Sequence, residues 1–344
     1  MTKREFLRDF ALGAAALSAR PAAAMAERMR ILPPDADIGS ITTGVISPEL
    51  RRLAGSVLVG QAHTHGALLV FWLHAPTTAP PLLIATLEEA RTRGDLVITE
   101  RAQAAVPSLV VDNRGKAHAL LLAGEILLGG KQHRVVTEDI LLPPLSGPLT
   151  IAVYCVEQGR WTGRAPHFES KGSFAAPGLR ARVMERADQG RVWEEVSKYA
   201  AAAAAPSQTG SYQAIYDKPE VKEHQQEVER TLDHRAAPGA RGAAVFVGPS
   251  LAGLDLFEDA GLFARQWPKL LRAHALEAYG RRPEPDAREV SLRQWLQSLL
   301  QSVAKTEGTL RRNAGAGRLF EFRLDRFRGA ALVAEGQVVH TAVL

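Results

Sequence analysis

Apolar runs, broken by glycine and edged by ionisable side chains, fill the stretch from Leu120 to Trp161. It reads LLLAGEILLGGKQHRVV, TEDILLPPLSGPLT and IAVYCVEQGRW. His118 to Ala123 and Ile151 to Val156 are apolar without alternation, the pattern of strands buried on both faces. Gly124 interrupts the first run before Glu125. Gly129-Gly130 interrupts it again and permits a left-handed turn or a close backbone approach. A strand over Lys131 to Val136 would turn Lys131 and His133 to one side and Gln132 and Arg134 to the other. Glu157, Arg160 and Trp161 follow the end of the second buried run. A rigid strand can hold such groups at the rim of a cleft.

Around this stretch the chain changes character twice. Short strands dominate before it, at Ser56 to Val59, Ala67 to Leu73, Leu96 to Thr99 and Pro107 to Asn113. After it, Pro177 to Ala205 has a helical apolar stripe, and a second helix starts at Pro219 with Asp217 as its expected cap. A strand at Ala243 to Val247 precedes a helix from Gly261 to Tyr279, which Pro268 should kink or restart and in which His274 reads as a packed core histidine. Arg288 to Val303 reads as a helix burying Val290 and Leu296. Alternation over Phe320 to Asp325 and a turn at Glu335-Gly336 predict terminal strands. The expected class is α+β: β-rich in the N-terminal half, helical in the middle, mixed in the C-terminal part and ending in a β-hairpin. The expected division is 27–279 as the main domain, with 280–344 packed on the same core.

Several functions lack their signatures. The phosphate-binding glycine loops, the nucleophile elbow and the paired-histidine zinc helix are absent from the sequence. His63 and His65 share a strand face, but no third ligand lies near them in sequence, so no metal is assigned. The 42 basic residues exceed the 37 acidic ones only slightly, and no basic block interleaves with aromatics, which argues against a nucleic-acid partner. No apolar run reaches the about 20 residues needed to span a bilayer. A single cysteine cannot form an internal disulfide. No cofactor is indicated.

The N-terminus has a leader's pattern. Lys3-Arg4 and Arg8 precede an apolar stretch from Phe10 to Leu17, and Ala24-Met25-Ala26 matches a cleavage site. The pattern resembles a twin-arginine export signal in which lysine replaces the first arginine. The expected location is periplasmic or secreted, with 1–26 removed.

Two readings apply to the central stretch. In the functional one, Glu125 and Glu157 are catalytic acid–base groups. Lys131, Gln132, Arg134 and Arg160 then bind a small anionic ligand, with Trp161 stacking on it. Cys155 would act as nucleophile only as a thiolate, and its alternation with Ile151 and Val153 reads instead as a small buried side chain. In the structural reading Glu125 pairs with Lys131 or Arg134, and Glu157 with Arg160 closes a turn, leaving a non-catalytic binding or interaction module.

LLLAGEILLGGKQHRVV and IAVYCVEQGRW, with TLEEARTRGDLVITE, VPSLVVDN and GAAVFVGPSLAGLDLF in the same order, resemble the pattern of the ARG and rhodanese-phosphatase-superfamily-associated protein domain family. The resemblance runs from about Ile38 to Tyr279. ARG there denotes ADP-ribosylglycohydrolase, and the family name records gene association with enzymes of ADP-ribose metabolism. The resemblance therefore implies a nucleotide- or ADP-ribose-like ligand, with hydrolase or transferase chemistry as the enzymatic expectation. It maps the polar motif onto Glu125, Lys131, Gln132, Arg134, Cys155, Glu157, Arg160 and Trp161.

Overall fold

A computed structural model describes residues 41–100, 107–160, 167–233, 235–283 and 289–344. In chain order the first elements are β1 (Thr42–Val45), α1 (Pro48–Gly55), β2 (Leu58–His65), β3 (Leu68–His74), β4 (Ile84–Thr86), α2 (Leu87–Thr92), β5 (Leu96–Glu100) and β6 (Ser108–Asn113). The central stretch supplies β7 (His118–Leu121), β8 (Ile126–Gly129), β9 (Arg134–Val136), β10 (Ile140–Leu142) and β11 (Gly147–Cys155). Then come β12 (Phe168–Glu169), α3 (Pro177–Met184), α4 (Gln189–Ala202), α5 (Tyr212–Asp217) and α6 (Pro219–Thr231). The last are β13 (Gly242–Val247), β14 (Ser250–Leu256), α7 (Ala260–Ala278), α8 (Glu289–Lys305), β15 (Gly308–Arg312), β16 (Arg318–Leu324), β17 (Phe327–Ala334) and β18 (Gln337–Val343). The fold is α+β, with the β-rich start, helical middle and closing hairpin that the sequence leads one to expect.

Three sheets organise it. The largest is antiparallel with nine strands in the order β1-β15-β16-β17-β18-β14-β13-β3-β2. One face lies under α1 and α8, where Leu50, Leu296, Phe246 and Phe320 share a core. The other face lies under α7, where Trp72, Phe263, Trp267 and Leu332 share a second. The second sheet, β12-β8-β9-β11-β6-β5, closes into a barrel through a bridge between Thr99 and His167. Ile98, Val111, Leu127, Val136, Val153 and Phe168 fill its interior. Each such side chain contributes roughly 1.5–3 kcal/mol on full burial.

The third sheet explains the missing alternation in the central stretch. Its strands, β10-β7-β4, form the wall shared by barrel and large sheet. Ala119 and Leu121 face the barrel core, while Leu120 and Leu122 face the α7 core. Both faces are therefore apolar. The outer side of the barrel packs through Ile126, Val135 and Tyr154 against Leu179, Val192 and Tyr212 of α3 to α5.

Local expectations fail at four places. Lys131 to His133 form a turn and only Arg134 to Val136 are strand, so no alternation assigns Lys131 and His133 to a common strand face. The helix at Pro219 is capped at Lys218 without a side-chain hydrogen bond, and Asp217 ends the short α5 instead. α7 continues through Pro268, so the helix does not restart there; buried Trp267, Leu270 and Leu271 offset the hydrogen bond the imino acid forgoes. Val290 is 68% exposed, because the stripe that packs α8 begins a turn later.

Candidate functional site

The segments that carry the predicted motif meet at one end of the barrel. β5 ends there at Glu100, β11 ends there at Cys155, and the Gly130–His133 turn joins β8 to β9 between them. The turn depends on its glycines: Gly129 has φ 148°, and a Cβ there would sit 2.3 Å from the His167 carbonyl oxygen. Arg160 clasps the turn, donating from Nη1 to the Gly130 carbonyl (2.7 Å) and from Nη2 to that of Gly129 (3.2 Å). Its Nε donates to Glu157 Oε2 at 2.9 Å. Glu157 also accepts from the His133 amide (3.1 Å) and from Thr209 Oγ1 (2.9 Å). Burial would raise its carboxyl pKa; the hydrogen bonds from Arg160 outweigh that and hold it below the usual range.

The same end of the barrel takes in the other motif residues. Arg134 Nη1 donates to the Gln132 carbonyl at 3.0 Å, and Gln132 Nε2 to that of Gln158 at 3.3 Å. The Lys131 amide donates to Glu100 Oε1 at 2.8 Å. Burial pushes the Cys155 thiol up to about 11, which keeps it a thiol at neutral pH. Glu157 with Arg160 thus closes a turn, and most of these groups hold backbone. Trp161 lies outside the described residues, as does the 1–26 leader.

Glu125 has other partners. Lys269 of α7 donates to Glu125 Oε1 and, at 3.0 Å, to Glu88 Oε2. Neither Lys131 nor Arg134 pairs with it; its second oxygen is buried without a hydrogen-bond partner. Burial pushes the Glu125 carboxyl up to about 8, with Lys269 opposing and Glu88 adding. Burial also works against the Lys269 charge, but Glu125 and Glu88 outweigh it and hold the ammonium above its usual range. Lys269 is the cation of the group and Glu88 its clearest anion, while Glu125 is the carboxyl that burial pushes most strongly towards its neutral form.

A second buried system is a closed ring of hydrogen bonds. The Ala123 amide donates to Asp139 Oδ1 (2.8 Å), and Asp139 Oδ2 lies 2.6 Å from His340 Nδ1. His340 Nε2 is 2.9 Å from Asp255 Oδ1, which also accepts from Arg180 Nη1 at 2.6 Å. Arg180 Nε returns to the Ala123 carbonyl at 2.8 Å. Because both imidazole nitrogens of fully buried His340 face carboxylates, both must donate, which makes it an imidazolium. Burial would lower its pKa; Asp139 outweighs that and raises it. Two carboxylates then balance two cations.

The ring borders a cleft of about 410 Å³ between the barrel-side turn and the large sheet. Ala123, Thr137 and Asp139 form one wall, Met184 and Arg186 another, and β15 to β18 the floor. Glu321 accepts from Arg186 Nη2 (2.9 Å) and from Arg311 Nε (3.0 Å), while Glu138 accepts from Arg311 Nη2 (2.5 Å). Arg323 and Arg328 stand directly opposite each other on β16 and β17 and both line the cleft. Among the described residues no hydrogen bond or ion pair engages the Arg323 side chain. Arg328 Nε has no hydrogen-bond partner and lies 3.9 Å from Glu185, which Arg182 already holds at 3.0 Å.

Sequence reasoning missed Lys269, Asp139, Asp255, His340 and this arginine pair. Lys269 was detectable as a lysine in helical register with Leu262 on an apolar face. His63 stacks edge-on against Trp72 and His65 lies 3.8 Å from Glu227. Among the described residues no group of three or more His, Cys, Asp or Glu could hold a metal ion, and no helix is long and apolar enough to cross a membrane.

A family model, the ARG and Rhodanese-Phosphatase-superfamily-associated Protein domain, matches residues 56–344. It reaches past Tyr279 to take in α8 and β15 to β18. No curated protein and no solved structure matches the chain.

Proposed function

This chain belongs to the ARG and Rhodanese-Phosphatase-superfamily-associated Protein domain family, and we propose that it binds a small anionic, nucleotide-like molecule in the cleft beneath the Thr137–Asp139 turn. One observation carries the reading: Arg323 and Arg328 face each other across two strands. Like charges directly opposite in a sheet are destabilising, and an anion between them removes the repulsion. A cleft of about 410 Å³ falls in the size range of small-molecule sites.

The role is binding without bond breaking. Glu125 and Glu157 are not among the lining residues, and the polar motif at the barrel end is scaffold. Hydrolysis or transfer of the ligand would need a general acid or base in the cleft; Asp139 spends both oxygens on Ala123 and His340, and Glu138, Glu185 and Glu321 are held by arginines.

Calorimetric titration of the purified protein with AMP, ADP-ribose and ribose 5-phosphate tests the reading. Binding should weaken about ten- to a hundredfold in Arg323→Ala and in Arg328→Ala, the worth of one charged hydrogen bond, with no product after long incubation. Full affinity in the double variant, or no binding by any of the three, refutes it.

The site would be reached outside the cytoplasm. The Lys3-Arg4 leader supports export, and an N-terminus at Glu27 in protein recovered from the periplasm or medium of a bacterial host is the expected outcome. A chain retained in the cytoplasm with residues 1–26 intact counts against it.

A further inference from the structure

The geometry points to a terminal phosphate monoester as the group the cleft selects, an inference that rests on the binding role proposed above. Glu138 and Glu321 are each shared between Arg186 and Arg311, so those two acids and two bases cancel. Asp139 is spent inside the buried ring. Glu185 is held by Arg182 and reaches Arg328 only at 3.9 Å. Glu307 and Arg323 are both exposed at the rim. Arg323, which no acid among the described residues engages, and Arg328, which shares Glu185 with Arg182 and Glu321 with Arg186 and Arg311, stand as two guanidiniums side by side with less than one acid each.

The ligand group must match that number. A carboxylate or a phosphodiester brings one negative charge; it can engage one guanidinium in a forked pair and leaves the other repelled. A phosphate monoester carries about −1.5 to −2 at pH 7 and three terminal oxygens. It can accept from both guanidiniums at once, each offering five N–H donors in a rigid fork. Arg186, on the facing wall, spends only Nη2 on Glu138 and Glu321. The floor beside the pair is Gly329, Ala330 and Ala342, which leaves room for the body of a sugar phosphate or mononucleotide. The enclosing walls favour a small soluble ester over a phosphorylated macromolecule.

Three adenosine probes separate the terms: AMP, cyclic 3′,5′-AMP and adenosine, titrated calorimetrically into the full chain. AMP should bind at least tenfold more tightly than cyclic AMP, and adenosine more weakly again. The AMP advantage should shrink as pH falls from 7.5 to 5.5, because the monoester takes up its second proton near pH 6. Arg323→Ala should bring AMP down to the level of cyclic AMP; Arg323 is exposed, so an unchanged melting temperature excludes misfolding as the cause. Equal affinity for AMP and cyclic AMP, both weakened in Arg323→Ala, overturns the monoester inference and leaves the anion-binding role standing. An AMP preference that survives in the double Arg323→Ala, Arg328→Ala variant overturns it too, by placing the site elsewhere. No binding of AMP, cyclic AMP, ribose 5-phosphate or ADP-ribose removes both.

Discussion

Asp255→Ala is expected to unfold about 3–5 kcal/mol more easily than the parent chain in urea titrations, the usual loss when one partner of a buried charge pair is removed. Asp255 Oδ1 is where Arg180 and His340 meet. Its burial would raise the carboxyl; Arg180 first, then His340, hold it well below the usual range. Without it, His340 can shed its proton and adapt. Arg180 cannot, because a guanidinium does not deprotonate in proteins, and its Nη2 is already buried without a partner. The stranded cation sets the size of the loss. A drop under about 1 kcal/mol, the range of exposed pairs, would mean that the ring opens to water and does not hold barrel and sheet together.

Stability should also follow pH through two buried groups of opposite sign. Burial pushes the His274 imidazole down to about 4, against the pull of Asp255. The unfolded chain, with an ordinary imidazole, takes up that proton first as pH falls. His274's contribution is therefore full above pH 6.5 and is lost as pH drops towards 4, roughly 3 kcal/mol in all. Glu125 behaves the other way. Its raised carboxyl contributes stability below pH 4.5 that is lost as pH climbs through about 8, since the folded protein keeps a proton the unfolded chain has released. Denaturant titrations from pH 4 to 9 check both. The difference between wild type and His274→Leu should grow steadily over pH 4–6.5. That between wild type and Glu125→Gln should grow over pH 4.5–8 with wild type losing ground. Parallel curves for either variant refute the corresponding assignment.

Short-range patterns were readable without coordinates, and long-range partners were not. The run at His118 to Ala123 reported burial on both faces, and the shared wall of β4, β7 and β10 is the physical cause. The closing hairpin was visible in its alternation and its Glu335-Gly336 turn. Arg160 with Glu157 could be paired because three residues separate them. Glu125 was matched to Lys131 or Arg134 for the same reason, nearness along the chain, and that reasoning failed: its partner is 144 positions away. Asp139 and His340 stand 201 positions apart. Nothing in local periodicity encodes such meetings; they depend on the order in which strands enter a sheet. β15, reading GTLRR, lacks an apolar stripe and gave no signal, so the cleft whose floor it shares was not anticipated.

The last strand in chain order, β18, does not lie at an edge but between β14 and β17, inside the nine-stranded sheet. It pairs with both and carries the imidazole that stands between Asp139 and Asp255. Losing Gln337–Val343 would therefore split the large sheet through its middle and leave both carboxylates facing each other without a cation between them.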